Sequence, residues 1–525
     1  MENKHPFEHF LGNFTPKAAK LQRQVYKLLW IMETTGSSDA ADLKAELEAE
    51  FKLLFHDKDT YARLLDWEKD PFLNDPLLKR QLHLILIEFK KNQIPEELLR
   101  LISEREAQLS MAYTNFRSKC DGKSLTENEI RKVLSEETNP EKRKKVWEAS
   151  KEIGRHLAPL ILELVILRNT AAQSLGYSDY FQMQLELQDV DVNWLLETFE
   201  ILEEESATAY DKTLDTIAQW QEQRFHVAKE ELGPWAWSDP FCQEDPIQDN
   251  NLDHLLQDHD FIEIGRQFFG SMGFDVDAIL KRSDMYEREG KNQHAFCINI
   301  DREQDIRTLN NIRPTLKWLE VILHELGHAV YELGYDASLP WLLKKPPHML
   351  VTEAMALICG RQAYRAASLK QLLPNKLEYT ESFAKAEQGL RRRQLIFSRW
   401  VIVMTAFESA LYQNPAQDLN QLWWALVEKH QKISAPSNRE GACDWAAKYH
   451  IGMAPAYYFS YLLGEMLAST FEQHLPKGSN FNSTQVGDYF KERLFRSGSI
   501  HPWHELVKRA TNAPLTSTSW TQEFS

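Results

Sequence analysis

The chain has 525 residues, enough for a large core or more than one domain. Apolar residues make up 43% and charged residues 26%, as in an ordinary globular protein, and the net charge of −16 speaks against nucleic acid as a partner. Glycine and proline, at 20 and 21, are scarce for this length, and charges are spread through long amphipathic runs, so a mainly helical, all-α protein is expected. The cysteines Cys120, Cys242, Cys297, Cys359 and Cys443 are odd in number and widely spaced, with no CxxC pair. Free thiols in a reducing compartment fit that pattern better than a disulfide framework. The N-terminal Met-Glu-Asn-Lys-His-Pro-Phe has no apolar leader, and no run of 18 or more apolar residues occurs. A cytoplasmic chain with no membrane association is the resulting expectation.

In chain order, apolar residues at three- and four-residue spacing predict helices over 17–33, 42–56 and 75–91, then 95–119 starting at Pro95. Asn139-Pro140-Glu141 caps a helix running over 143–173, and Gly176 ends it. A further helix is predicted over 191–226. The stretch from Leu232 to Phe241 is aromatic and turn-rich, and helix resumes over 251–272. Between Gln293 and Asn310 the period changes to two. Phe296 to Ile300 and Ile306 to Leu309 then read as a small antiparallel hairpin. A helix follows from Pro314-Thr315 to Gly334, another over 348–369, more to about 432, and a last major one over 455–473.

The helix after the hairpin contains His324-Glu325-Leu326-Gly327-His328, an HExxH pattern. Histidines four apart stack on one helix face and can share a metal ion, with Glu325 placed to take a proton from a metal-bound water. A catalytic zinc needs a third protein ligand. Glu332 lies eight residues beyond His324, about 12 Å along the axis at ~1.5 Å per residue, too far to converge on the same ion. Glu353 on the next helix, 25 residues after His328, is the expected third ligand. Ala354 and Ala356 beside it permit close helix packing.

HELGH followed by this Glu-Ala helix resembles the gluzincin peptidases of the angiotensin-converting enzyme (peptidyl-dipeptidase A) family and the related thimet oligopeptidase family. The resemblance runs from the Glu106–Tyr177 helices to Ser469. It is strongest at His294-Ala295, at HELGH to Glu353, and at Lys448 to Ser469. It implies one Zn²⁺ held by His324, His328 and Glu353, with Glu325 as general base. Tyr461 would be the oxyanion donor, with His450 contacting the substrate backbone nearby. Lys448 and Tyr458 would hold the substrate C-terminus, and His294 with the backbone of Ala295 would line an extended peptide at a strand edge. The implied shape is two helical halves around a deep channel: 1–250 as lid and channel wall, 251–525 as the zinc-binding half.

Some positions depart from the animal dipeptidases. Their chloride-binding arginine between the two tyrosines is Ser460 here, and the aspartate one turn after the zinc glutamate is Leu357. Their glutamine at the carboxylate pocket has no counterpart around Trp235-Ala236-Trp237, and one extra residue separates His450 from the tyrosines. Chloride activation is therefore not expected, and the partner that orients His328 is not identified.

The expected function is a zinc metallopeptidase acting on short peptides and releasing C-terminal dipeptides, with no obligatory protein partner. The alternatives are an oligoendopeptidase of the thimet oligopeptidase type and a non-catalytic peptide-binding protein on a peptidase scaffold.

Overall fold

The computed structural model describes residues 5–247 and 252–525, Leu377 by its backbone alone. The expected helix start at 251 and the first four residues of the leader reading lie outside that range. The chain is 68% helical, and two short antiparallel strand pairs make up the sheet among the described residues. The all-α class expected from composition is the observed one.

The chain divides into two compact units, and it crosses between them repeatedly. One unit is Met1–Gln93, Asn251–Glu387 and Gly464–Leu515; the other is Ile94–Asn250, Gln388–Leu463 and Thr516–Ser525. Residue 250 is thus only one of five crossings, and the division does not follow the 1–250 and 251–525 halves expected from sequence.

In the first unit, helix Pro6–Thr35 starts with a reciprocal cap. His5 accepts the Phe7 N–H and Glu8 accepts the His5 N–H at 3.1 Å. Gly36 ends it at φ 68°, with no room for a Cβ against the Gly290 carbonyl. The helix buries Phe7, Leu11 and Phe14 against Phe55, in the turn after the next helix, and against Leu64, Ile85 and Phe89 from the two helices beyond it. Near its other end Trp30 packs on Ile298, Ile300 and Leu309 of the hairpin Phe296–Asn299 and Ile306–Leu309. That hairpin is antiparallel with Phe296 opposite Leu309, as the alternation predicted, and packs beside the HELGH helix.

The HELGH helix spans Leu316–Leu333, with Thr315 accepting the Trp318 N–H at its start. Leu319, Ile322, Leu323, Leu326 and Val330 are fully buried on its apolar stripe. Gly334 follows it, but not as a left-handed cap. Its φ is −83°, and glycine is required because a Cβ would lie 2.5 Å from that of Phe495.

In the second unit, Arg143 donates to the Trp235 and Trp237 carbonyls at 2.8 Å each, and the Trp147 indole donates to the Pro240 carbonyl at 3.0 Å. These bonds pin the aromatic turn to helix Pro140–Lys151.

Several expected elements are subdivided. The 143–173 helix is interrupted at Glu152, giving Pro140–Lys151 and Ile153–Ser174. The 191–226 helix is divided at Ser206, whose hydroxyl donates to the Leu202 carbonyl at 2.6 Å. The 348–369 helix ends at Arg361. The 95–119 helix stops at Asn115, and a second hairpin, Ser118–Cys120 with Lys123–Leu125, takes its end. The turn of that hairpin is Asp121-Gly122, both at positive φ, a pairing that favours two-residue hairpins. Helix Thr380–Gln413 is long and apolar enough to cross a membrane by length and composition. However, 83% of its apolar window is buried inside the protein, and core helices of soluble proteins pass the same test. All five cysteines are unpaired.

Candidate metal centre and substrate residues

The HELGH helix and helix Met349–Arg361 pack at very short range. A Cβ on Gly327 would come within 2.9 Å of the Ala356 Cα, and one on Gly360 within 3.4 Å of the His324 Cβ. Small residues at this crossing bring Glu353 up to the two histidines. His328 Nε2 lies 3.4 Å from Glu353 Oε2, and His324 Nε2 lies 3.7 Å from Glu353 Oε1. All three ligand atoms fall within 4.8 Å of one another. The imidazole rings stand at 84° with centroids 4.9 Å apart.

Two ligands bound at about 2.0–2.1 Å to one tetrahedral ion stand roughly 3.4 Å apart, so the observed spacings and the His-His-Glu donor set both fit a zinc-type ion. Among the described residues this is the one such cluster of His, Cys, Asp and Glu. Burial would raise the Glu353 carboxyl, but the flanking imidazoles prevail and hold it at about 2. Burial drives His324 down to about 4.

Glu325 is 6% exposed, and its Oε2 accepts no hydrogen bond from the protein. Burial raises its pKa to about 7, with His328 opposing. A carboxylate with a free oxygen and a pKa near neutrality is suited to exchanging protons. On its other side His328 Nδ1 is 2.9 Å from Thr352 Oγ1.

His294 and Ala295 immediately precede strand Phe296–Asn299. His294 is exposed, and its backbone N–H donates to Asn292 Oδ1 at 2.9 Å. No other described strand pairs with Phe296–Asn299 on the side away from Ile306–Leu309.

The remaining predicted residues belong to the second unit. The expected 455–473 helix begins only at Phe459, after a short helix Tyr449–Met453 and a link with Ala456 at φ 53°. Tyr458 therefore stands just before the helix and Tyr461 in its first turn. They do not both lie on the helix, as the 455–473 range implied, yet their rings are 5.2 Å apart. Glu408 holds the link by accepting the Ala456 N–H at 3.0 Å. The His450 ring lies 5.0 Å from Tyr458, and burial with the nearby Lys448 lowers its pKa to about 4, so it is neutral.

Lys448 and Tyr458 converge on one oxygen. Lys448 Nζ donates to Gln243 Oε1 at 2.9 Å, and the Tyr458 hydroxyl donates to the same atom at 3.2 Å. The Lys448 ammonium is walled by the Phe241, Trp400 and Tyr458 rings at 5.1–5.4 Å. Burial lowers Lys448 to about 8, with Asp239 pulling it up.

Gln243 stands six residues beyond Trp235–Trp237, the stretch that itself holds no glutamine. It is aimed by Asp239, a fully buried carboxylate that accepts the backbone N–H groups of Phe241, Gln243 and Glu244 at 2.8, 3.0 and 3.0 Å. The Asp-Pro before it marked a turn; which glutamine that turn presents is a tertiary fact.

Two family models cover most of the chain: "Angiotensin-converting enzyme" matches residues 1–205 and "Peptidase family M3" matches residues 280–525. The angiotensin-converting enzyme-like protein Ace3 of Mus musculus is 25% identical over 559 aligned residues, covering 97% of this chain and 74% of that protein. The angiotensin-converting enzymes of Mesocricetus auratus and Bos taurus are each 24% identical over about half of this chain, 49% and 47%, but only 20% of their own length. The helical fold and these matches define a metallopeptidase. The chain is similar to the peptidases related to angiotensin-converting enzyme and thimet oligopeptidase.

Proposed function

We propose that this protein is a zinc-dependent peptidase that removes dipeptides from the free C-termini of short peptides. The observation that carries the metal assignment is the convergence of His324, His328 and Glu353 within 4.8 Å. Zinc bound there would polarise the scissile carbonyl and activate water. Glu325 takes the proton from the attacking water on its free oxygen and passes it to the leaving amine. By the resemblance of their sequence block, Tyr461 and neutral His450 are assigned to the developing oxyanion. The unpaired side of strand Phe296–Asn299, with His294 and Ala295 at its start, supports docking of an extended peptide backbone.

Release of dipeptides is supported by the second group of residues. Lys448 and Tyr458 bring an ammonium and a hydroxyl to one point, both donating to Gln243 Oε1, and a substrate carboxylate would take that oxygen's place as their acceptor. A desolvated cation there favours peptides ending in a free acid.

The match of the M3 model over residues 280–525 favours a second reading, cleavage within oligopeptides. A peptide-library digest read by mass spectrometry, with chelated and zinc-restored protein, tests both. Dipeptides released only from free-acid ends are expected. Internal cuts that ignore C-terminal amidation would replace the first reading with the second. Protein with neither zinc nor hydrolysis would sink both and leave a peptide-binding protein.

A further inference from the structure

We infer that Thr352 fixes the imidazole of His328, and that the metal affinity of the centre depends on its hydroxyl. The inference rests on the proposed metal centre. It begins from one contact: His328 Nδ1 lies 2.9 Å from Thr352 Oγ1. For Nε2 to offer its lone pair to a metal, the ring proton must sit on Nδ1. That N–H then donates to the threonine oxygen, which has lone pairs to accept it. A ligand histidine held through its second nitrogen keeps its ring plane and its tautomer.

Thr352 suits the task in three ways. It is 6% exposed, so water competes poorly for Nδ1. It is β-branched and helical, so its Oγ1 has few places to go. It directly precedes Glu353, so one helical turn supplies a ligand and braces another. The position one turn beyond Glu353 is Leu357, which has no acceptor to offer. The hydroxyl is also a neutral acceptor, so His328 is oriented without a second negative charge beside Glu353.

The test compares full-length wild type, Thr352→Ser and Thr352→Val. Zn²⁺ affinity is measured by competition with a chromogenic chelator, and folding by thermal melts of the metal-free proteins. T352V should bind zinc roughly 10–100-fold more weakly while T352S stays close to wild type. Equal zinc affinity in wild type and T352V overturns the inference and leaves the metal centre standing. Wild type that takes up no zinc refutes the centre and the inference together. Should T352V fail to fold, imidazole NMR of zinc-loaded wild type decides, with His328→Gln used for assignment. A slowly exchanging Nδ1 proton on His328 supports the inference, and rapid exchange with water overturns it.

Discussion

Gly327 and Ala356 meet backbone to backbone: a Cβ on Gly327 would stand 2.9 Å from the Ala356 Cα and 3.2 Å from the Met355 carbonyl oxygen. The helices bearing the three candidate ligands are therefore held at a separation that only a bare Cα permits. Gly327→Ala should wedge them apart, costing about 1–3 kcal/mol of stability and weakening metal binding. Thermal melts and zinc titration read the two effects. A G327A protein equal to wild type in both would show that the crossing tolerates expansion.

Glu325 is the buried carboxylate with an unused oxygen beside the two histidines. Removing its basicity without its shape should stop hydrolysis and spare the metal. Glu325→Gln is expected to lose at least about 100-fold in kcat while retaining one zinc per chain by elemental analysis. Retained turnover would move the base assignment elsewhere.

Gln243, Lys448 and Tyr458 predict a signature in KM. Lys448→Ala should raise KM for free-acid peptides by roughly 10–100-fold, as expected for loss of a hydrogen bond to a charged group. It should change little for the corresponding amides, which already lack the charge. Gln243→Ala should act in the same direction more weakly. Equal effects on acids and amides would remove this cluster from C-terminal recognition.

Lys151 gives a prediction in pH and stability alone. Its side chain is 2% exposed, with the ammonium 3.4 Å above the Phe241 ring. Burial drives its pKa down to about 7, with Asp444 opposing. Between that value and about 10.4, where an unfolded lysine titrates, the unfolded chain binds more protons than the folded one. Stability from this group therefore rises with pH across that window, and the penalty is fully present below it. Lys151→Met should stabilise the protein by about 1–3 kcal/mol at pH 6, and the gain should shrink towards pH 10. Denaturant melts at several pH values measure it; a constant difference between the two proteins would disprove the titration.

The ligands were readable from sequence because they obey local periodicities. Two histidines four apart on a strongly apolar stripe with a threonine cap leave little freedom, and Glu353 follows once a second helix must pack close by. What was not readable depends on residues distant in sequence. Gln243 is presented by a loop coiled around Asp239 and identified by Lys448, 205 residues away. Thr352 acquires its partner only when the two helices cross. Gly334 resembles a helix cap in sequence, yet is required by the bulk of Phe495. The Asp121-Gly122 turn was legible in principle, but the helical pattern before it was carried too far. Tyr458 and Tyr461 fit a helical spacing although the helix starts between them.

Arg361 closes the helix that carries Glu353, and its buried guanidinium is satisfied by Glu465, at 3.0 Å through Nε, and by Ser469 at 3.1 Å. Those partners are translated 104 and 108 residues later. The unit holding the candidate ligands also draws on Met1–Gln93 and on Gly464–Leu515. During synthesis the metal-binding helices therefore emerge well before the segment that completes their own unit. A unit arranged in this way cannot complete its packing until that later segment has been made.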